Sequence, residues 1–140
     1  MIACIDTNAV LGMFGRAAPL LELRRALLAG KFRWAFSNEI LLEYEEIAMR
    51  EMGATGVDRM LRFIELADEA RGAVLRISPT FRFHLIPADA DDDKFADCAI
   101  AAEADFIITA DSDFNAMRGS GYKPQPITPE EFIRLHLSGA

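Results

Sequence analysis

The sequence predicts an α/β fold in which a parallel sheet carries helices on both faces. Short β-like runs alternate with helical ones along the 140 residues, without an internal repeat or a low-complexity segment. Strands that alternate with helices favour parallel pairing through helical crossovers. The first run, "IACI" at 2–5, is wholly apolar, which is typical of a strand buried on both faces. The length fits a single domain over 1–140 with a sizeable core.

Apolar spacing and capping residues mark the other elements. Ser37 is a good N-cap for the helix that follows it, and Thr128 begins a capping box that Glu131 completes. Residues 81–86 fit a strand or an extended loop, and 112–117 fit a short turn or helix. The remaining predictions are helices over 19–31, 38–52, 56–71, 94–104 and 129–137, and strands over 32–36, 73–77, 105–109 and 124–128.

Composition excludes several classes of protein. No run of eighteen apolar residues is present and the N-terminus lacks the basic start of a signal peptide, so we expect neither a membrane span nor secretion. Cys4 and Cys98 lie in apolar runs and are expected to be buried thiols of a cytoplasmic protein. Two histidines and no cysteine pair at ligand spacing make a zinc site improbable.

The net charge of −7 has two opposed consequences. An acidic surface resists non-specific binding to nucleic acid, because phosphate backbones are bound by basic patches. An enzyme that binds Mg²⁺ through carboxylates, however, needs uncompensated acids in one place. The positions of the acids therefore carry more information than their number.

Acidic residues follow two of the predicted strands. Asp6 comes directly after 2–5, and Asp111 comes two residues after Thr109, with Asp113 just beyond. Ligands of parallel α/β sheets bind at the carboxyl ends of strands, so these acids can converge. Each also has a purely structural explanation: Asp6 can cap a turn, and Asp111 and Asp113 can shape a loop. Glu43 is a further candidate, although its helix is rich in other acids.

The stretch "DADDDKFADCAIAA" at 89–102 contains the most informative acid. Asp91, Asp92 and Asp93 can serve a helix N-terminus. Asp97 differs, because the helix around it is apolar on nearly every side and an unpartnered buried carboxylate is very costly. Either Lys94 at i−3 pairs with Asp97 or a metal ion does, and a cation would also relieve repulsion between Asp97 and Asp93 at i−4.

The same stretch superficially resembles a calcium-binding EF-hand loop. Lys94 stands where that loop needs glycine, and Ile100 stands where it needs glutamate, so a calcium loop is excluded. An all-carboxylate site at strand ends favours Mg²⁺ or Mn²⁺.

Four motifs taken in order resemble the PIN-domain ribonucleases, which include the VapC-like toxins of bacterial toxin–antitoxin pairs. They are "IDTN" (5–8), "SNEILLEY" (37–44), "DDDKFADCAIAA" (91–102) and "IITADSDF" (107–114). The closing "ITPEEFIRLH" (127–136) also looks like the final strand and helix of PIN proteins described as toxins. The resemblance implies a three-layer α/β/α sandwich and a Mg²⁺- or Mn²⁺-dependent nuclease that acts on single-stranded RNA.

The resemblance also implies roles for individual residues. The four family acids correspond to Asp6, Glu43, Asp97 and Asp111, with Asp6 and Asp97 expected as the principal metal ligands. Asp93 and Asp113 lie beside these acids and are expected to support the metal. The matching polar residues are Thr7, Asn8, Ser37 and Thr109. The segment "TADSDF" departs from the commoner toxin pattern, which leaves the division of work between Asp111 and Asp113 open.

Partners follow from the same resemblance. An RNA substrate, an antitoxin protein and a homodimer are implied, and Arg16, in a glycine-flanked loop after Asp6, is the candidate RNA contact. Three alternatives stay open. They are a catalytically silent PIN-like module that binds RNA or protein, a receiver-type phosphoacceptor, and a phosphatase. The last two are disfavoured because Asp6 is followed by Thr7 and Asn8 rather than by a second acid.

Overall fold

Five short strands pair in parallel to form one sheet. They are β1 (Ile2–Ile5), β2 (Arg33–Phe36), β3 (Val74–Arg76), β4 (Phe106–Ile108) and β5 (Gln125–Ile127). Their order across the sheet is β3-β2-β1-β4-β5, with Ala3 of β1 opposite Trp34 of β2 and Phe106 of β4. These coordinates come from a computed structural model, which describes residues 1–15, 17–80 and 93–137.

Helices connect the strands. They are α1 (Thr7–Phe14), α2 (Leu21–Leu28), α3 (Asn38–Arg71), α4 (Asp93–Ala101) and α5 (Pro129–Phe132), with a 3₁₀ helix at Ser112–Met117 and a π-helical turn at Ile133–Leu137. The α4 helix packs against β1, β2 and β4, whereas α1 and α2 pack against α3. Ala3, Cys4 and Ile5 are all fully buried, so both faces of β1 are covered. The predicted α/β fold with a parallel sheet is confirmed.

The order of strands reverses between β1 and β4. From β1 the chain moves outward to β2 and β3, and then crosses back to place β4 on the other side of β1. The carboxyl ends of β1 and β4 therefore form a topological switch point, where α/β proteins place their ligands. Asp6 follows β1 there, and its N–H donates to the carbonyl of Ile108 at the end of β4, 3.0 Å away.

The predicted element bounds differ from the observed ones in a few places. The helices expected over 38–52 and 56–71 form the single α3, which is kinked at Gly53 (φ 71°, ψ −175°). A conformation with that φ and ψ is essentially restricted to glycine, so the interruption is encoded. The α1 helix was expected only as a turn after Asp6. The α4 helix ends at Ala101 rather than 104, and residues 81–86 lie outside the described part of the chain.

The two cysteines are buried thiols, as the sequence predicted. Cys4 and Cys98 are free and buried. Among the residues described, no helix has both the length and the apolar character needed to cross a membrane.

Candidate metal-binding active site

A cleft of about 520 Å³ opens at the switch point between β1 and β4. We call it the carboxylate cleft, because its wall contains four carboxylates, three of which come from distant parts of the sequence. Asp6 follows β1, Glu43 lies one turn into α3, and Asp111 follows β4. The full lining is Asp6, Thr7, Asn8, Leu11, Glu43, Ile47, Arg50, Glu51, Phe95 and Asp111.

Asp6 is held by hydrogen bonds to both of its carboxylate oxygens. Oδ1 accepts the N–H of Ala9 at 2.8 Å, which makes Asp6 the N-cap of α1, and Oδ2 accepts the hydroxyl of Thr109. Burial raises the pKa of Asp6 above its ordinary value. The bonds from Thr109 and Ala9 lower that pKa, and the negative charges of Asp111 and Glu43 raise it further. The carboxylates thus create a negative potential that a cation would relieve.

Thr109 links Asp6 to Asp111. The Thr109 hydroxyl donates to Asp6 and accepts the N–H of Asp111 at 2.9 Å. The Asp111 carboxylate accepts the N–H of Asp113 at 2.9 Å and so caps the 3₁₀ helix. Asp111 is exposed, and together with Asp6 it also lines a neighbouring opening of about 330 Å³. The turn-forming role considered for Asp111 and its place in the cleft are therefore compatible.

Both oxygens of Glu43 contact protein groups. Oε2 accepts the hydroxyl of Thr7, and Oε1 lies 2.6 Å from the ammonium of Lys94. The sequence suggested Lys94 as a partner of Asp97, and the structure pairs Lys94 with Glu43. Thr7 and Thr109 thus each hold one of the cleft acids, whereas Asn8 is exposed on the cleft wall.

Asp97 lies in α4 beside a second, smaller cavity. This polar cavity has a volume of about 240 Å³ and is lined by Ser37, Asn38, Glu39, Ile77, Ser78, Pro79, Thr80, Lys94 and Asp97. The side chain of Asp97 is buried as the sequence predicted, with 3% of the residue exposed. Ser37 caps α3 by accepting the N–H of Ile40 at 3.2 Å. Lys94 lines this cavity while contacting Glu43, so it connects Asp97's cavity to the carboxylate cleft.

The donor chemistry of the cleft fits a hard divalent cation. Its carboxylates supply only oxygen, which Mg²⁺ and Mn²⁺ prefer. Within residues 1–15, 17–80 and 93–137, no three His, Cys, Asp or Glu side chains are already gathered in a ligating arrangement. Glu43 is instead neutralised by Lys94.

The comparisons with known proteins agree with this geometry. A sequence model of the PIN domain matches residues 3–113. The chain belongs to the PIN-domain family. Members of that family are generally nucleases. No relative is found among curated proteins.

Two solved structures have the same fold as this PIN domain. One is a chain of VapBC2 from Rickettsia felis, in a structure bound to a DNA fragment from the VapBC2 promoter. It superposes with a TM-score of 0.59 at 17% identity, and the match covers 90% of this chain and 98% of that chain. A chain of VapBC-1 from nontypeable Haemophilus influenzae gives a TM-score of 0.60 at 19% identity, covering 93% and 99%.

Some residues of this PIN domain's cleft were not expected from the sequence. Arg50 lines the cleft two helical turns beyond Glu43, and the i, i+7 spacing of these two residues on α3 was the signal available. Asp93 and Asp113 do not appear in the cleft wall, and Arg16 lies outside the described residues.

Proposed function

We propose that this PIN domain is a Mg²⁺- or Mn²⁺-dependent endoribonuclease that hydrolyses phosphodiester bonds of single-stranded RNA. One observation carries the proposal: Asp6, Glu43 and Asp111, from three distant parts of the chain, line one cleft at the strand-order switch. An acidic cleft repels RNA phosphates unless a cation screens it. A carboxylate cluster that faces a polyanionic substrate therefore favours a metal-dependent reaction.

The bound cation would polarise the scissile phosphate and lower the pKa of a water molecule. Asp6 and Asp111 would hold it from the ends of β1 and β4, with Thr109 fixing the direction of the Asp6 carboxylate. Glu43, from α3, would orient the attacking water or a second cation. Asp97 stays a proposed ligand from α4, and Asp93 and Asp113 stay proposed supporting acids.

Basic residues near the cleft would bind the RNA backbone. Arg50 lines the cleft and is exposed, so its guanidinium is accessible to a phosphate. Its ion pair with Glu51 is long, with 3.8 Å between Nε and Oε1, and both side chains are more than half exposed. Such a pair is weak and can yield to a phosphate. Arg16 remains a proposed contact from the sequence.

We further propose that the protein is the toxin of a toxin–antitoxin pair, with an antitoxin protein as partner and a homodimer as its assembly. Both similar structures described above are VapBC structures, which supports this role. The free, buried thiols of Cys4 and Cys98 fit a reducing cytoplasm.

Cleavage of a labelled single-stranded RNA in MnCl₂ tests the proposed function. Wild-type protein should cut the RNA only with the cation, and Asp6→Asn should lower the rate by at least about a hundredfold, because one ligand charge is lost. Asparagine keeps an oxygen that can cap α1, so the fold should persist. Asp58→Asn is the matched control, because Asp58 is exposed on α3 in a pair with Arg62. Cation-independent cutting, or full activity in Asp6→Asn, would contradict the proposal.

A further inference from the structure

Lys94 is an almost buried positive charge beside Glu43 of the carboxylate cleft. Its side chain is only 10% exposed, and its ammonium lies 2.6 Å from Oε1 of Glu43 and 5.6 Å from the centre of the Phe95 ring. Lysine is rarely buried without a partner of opposite charge. Residues Lys94 and Glu43 come from different helices, α4 and α3, so the pair joins two elements of the site.

The contacts of Glu43 set up a competition for its oxygens. Lys94 contacts Oε1, and the Thr7 hydroxyl donates to Oε2. A hydroxyl can turn its hydrogen toward another acceptor and offer a lone pair to an incoming cation. An ammonium has no lone pair, so a cation that approaches Oε1 meets a like charge at hydrogen-bonding distance. Lys94 is therefore the contact that a cation must displace.

The displaced ammonium of Lys94 can enter a second polar environment. Lys94 lines the polar cavity of about 240 Å³ together with Asp97, Ser37 and Thr80. A rotation of the flexible four-carbon stem can move the charge away from Glu43 and keep it beside oxygen atoms. The fold thus provides two polar environments for one ammonium group.

We propose that Lys94 is an exchangeable counterion of Glu43: a divalent cation that enters the carboxylate cleft takes Oε1 of Glu43 from the Lys94 ammonium. The inference rests on the proposed function, since it assumes that the cleft binds a cation. Lys94 is then a positioning residue. It orients the Glu43 carboxylate before the cation binds, and its contact with Oε1 of Glu43 is lost when the cation binds.

The direction of a change in cation affinity tests the exchange. Lys94→Met keeps the length and apolar stem of the side chain but removes the competing charge. Calorimetric titration with MnCl₂ at constant ionic strength should give a dissociation constant about tenfold lower than that of the wild type. Lys94→Arg should restore the wild-type affinity. A Lys94 that merely braces α3 against α4 predicts the opposite sign, because its loss would leave Glu43 less ordered and Mn²⁺ binding weaker.

A double-mutant cycle separates exchange at Glu43 from general repulsion. In a Glu43→Gln background, Lys94→Met should change Mn²⁺ affinity by less than about twofold, because the contested carboxylate is gone. An equal gain in both backgrounds would mean that Lys94 repels the cation through space, and would overturn the proposal. Lys123→Met is the control for lost charge, because Lys123 lies outside the cleft and pairs with Asp105 at 3.3 Å. The Mn²⁺ affinity of this variant should match that of the wild type.

Failure of the exchange and failure of the proposed function give different results. If the wild type binds Mn²⁺ and Lys94→Met binds it no more tightly, only the exchange is wrong. If the wild type binds no Mn²⁺ at millimolar concentration, the proposed function fails and the exchange fails with it. Circular dichroism verifies that each variant is folded, and Lys94→Gln, which also lacks the charge, replaces Lys94→Met if that variant is unfolded.

Discussion

Ala9 and Thr109 together fix the orientation of the Asp6 carboxylate. The sequence offered two explanations for Asp6, an N-cap or a metal ligand, and the structure confirms the cap. The two roles do not exclude each other, because an ionised carboxylate has about four lone-pair positions and these two bonds use only two. Orientation by neighbouring hydrogen bonds is also what metal ligands generally require. Capping therefore pre-positions the proposed ligand.

Asp105 gives a residue-scale prediction at the opposite end of the sheet. The N–H of Ile2 donates to its carboxylate at 2.9 Å and holds the pKa of Asp105 below its ordinary value, with Lys123 acting in the same direction. A carboxyl group whose pKa is lowered in the folded state stabilises the fold at pH values above its ordinary pKa of about 3.9. This stabilisation is lost as the pH falls through the folded-state pKa. Asp105→Asn should therefore cost about 1 kcal/mol at pH 7.

Urea denaturation at several pH values checks that prediction. The difference between Asp105→Asn and the wild type should be largest at neutral pH and should shrink below pH of about 4. Glu22→Gln, at an exposed pair with Arg25, is the control and should change stability little. A difference that is constant with pH would mean that the charge of Asp105 contributes nothing.

Tyr44 connects the elements around the site. Its hydroxyl donates to the carbonyl of Ile5, the last residue of β1, and accepts the indole N–H of Trp34 at 3.3 Å. The Ile5 carbonyl directly precedes Asp6, so α3 fixes the end of the strand that carries the first acid. Burial raises the pKa of Tyr44 well above its ordinary value, so the hydroxyl remains protonated and keeps this bond across the physiological range.

Tyr44→Phe should destabilise the fold by about 2 kcal/mol, because it leaves two buried polar groups without a partner. Equilibrium unfolding in urea measures the loss. Tyr122→Phe, at a partly exposed tyrosine, is the matched control and should stay within about 0.5 kcal/mol of the wild type. Equal stability of Tyr44→Phe and the wild type would show that the bond to β1 contributes nothing.

Elements were predictable where the local pattern was strong. The β1 strand and the capped starts of α3 and α5 follow directly from apolar runs and from Ser37 and Thr128. The α1 helix was not expected, because "TNAVLGMF" is only eight residues long and short helices owe their stability to packing. The π-helical turn after α5 has no local signal that we could identify.

At the scale of the whole molecule, strand order accounts for the site. Asp6 and Asp111 are far apart in sequence, yet β1 and β4 are neighbours, and the sequence predicted that acids at strand ends would converge. The Glu43–Lys94 pair was not predictable, because a sequence pattern supplies no contact between α3 and α4. The net charge of −7 also fits this account. Among the described residues that line the cleft and the neighbouring polar cavity, Lys94 and Arg50 are the only bases that offset the acids.

The central claim is that carboxylates from separate parts of the chain hold one divalent cation. An anomalous difference map from crystals grown with MnCl₂ tests it most directly. The account predicts a strong peak in the carboxylate cleft, about 2.1 Å from a carboxylate oxygen of Asp6, with Asp111 or Glu43 also bound. The same map from Asp6→Asn crystals should lose the peak. A cleft without a peak at saturating MnCl₂, or a peak that touches none of these three acids, would contradict the account.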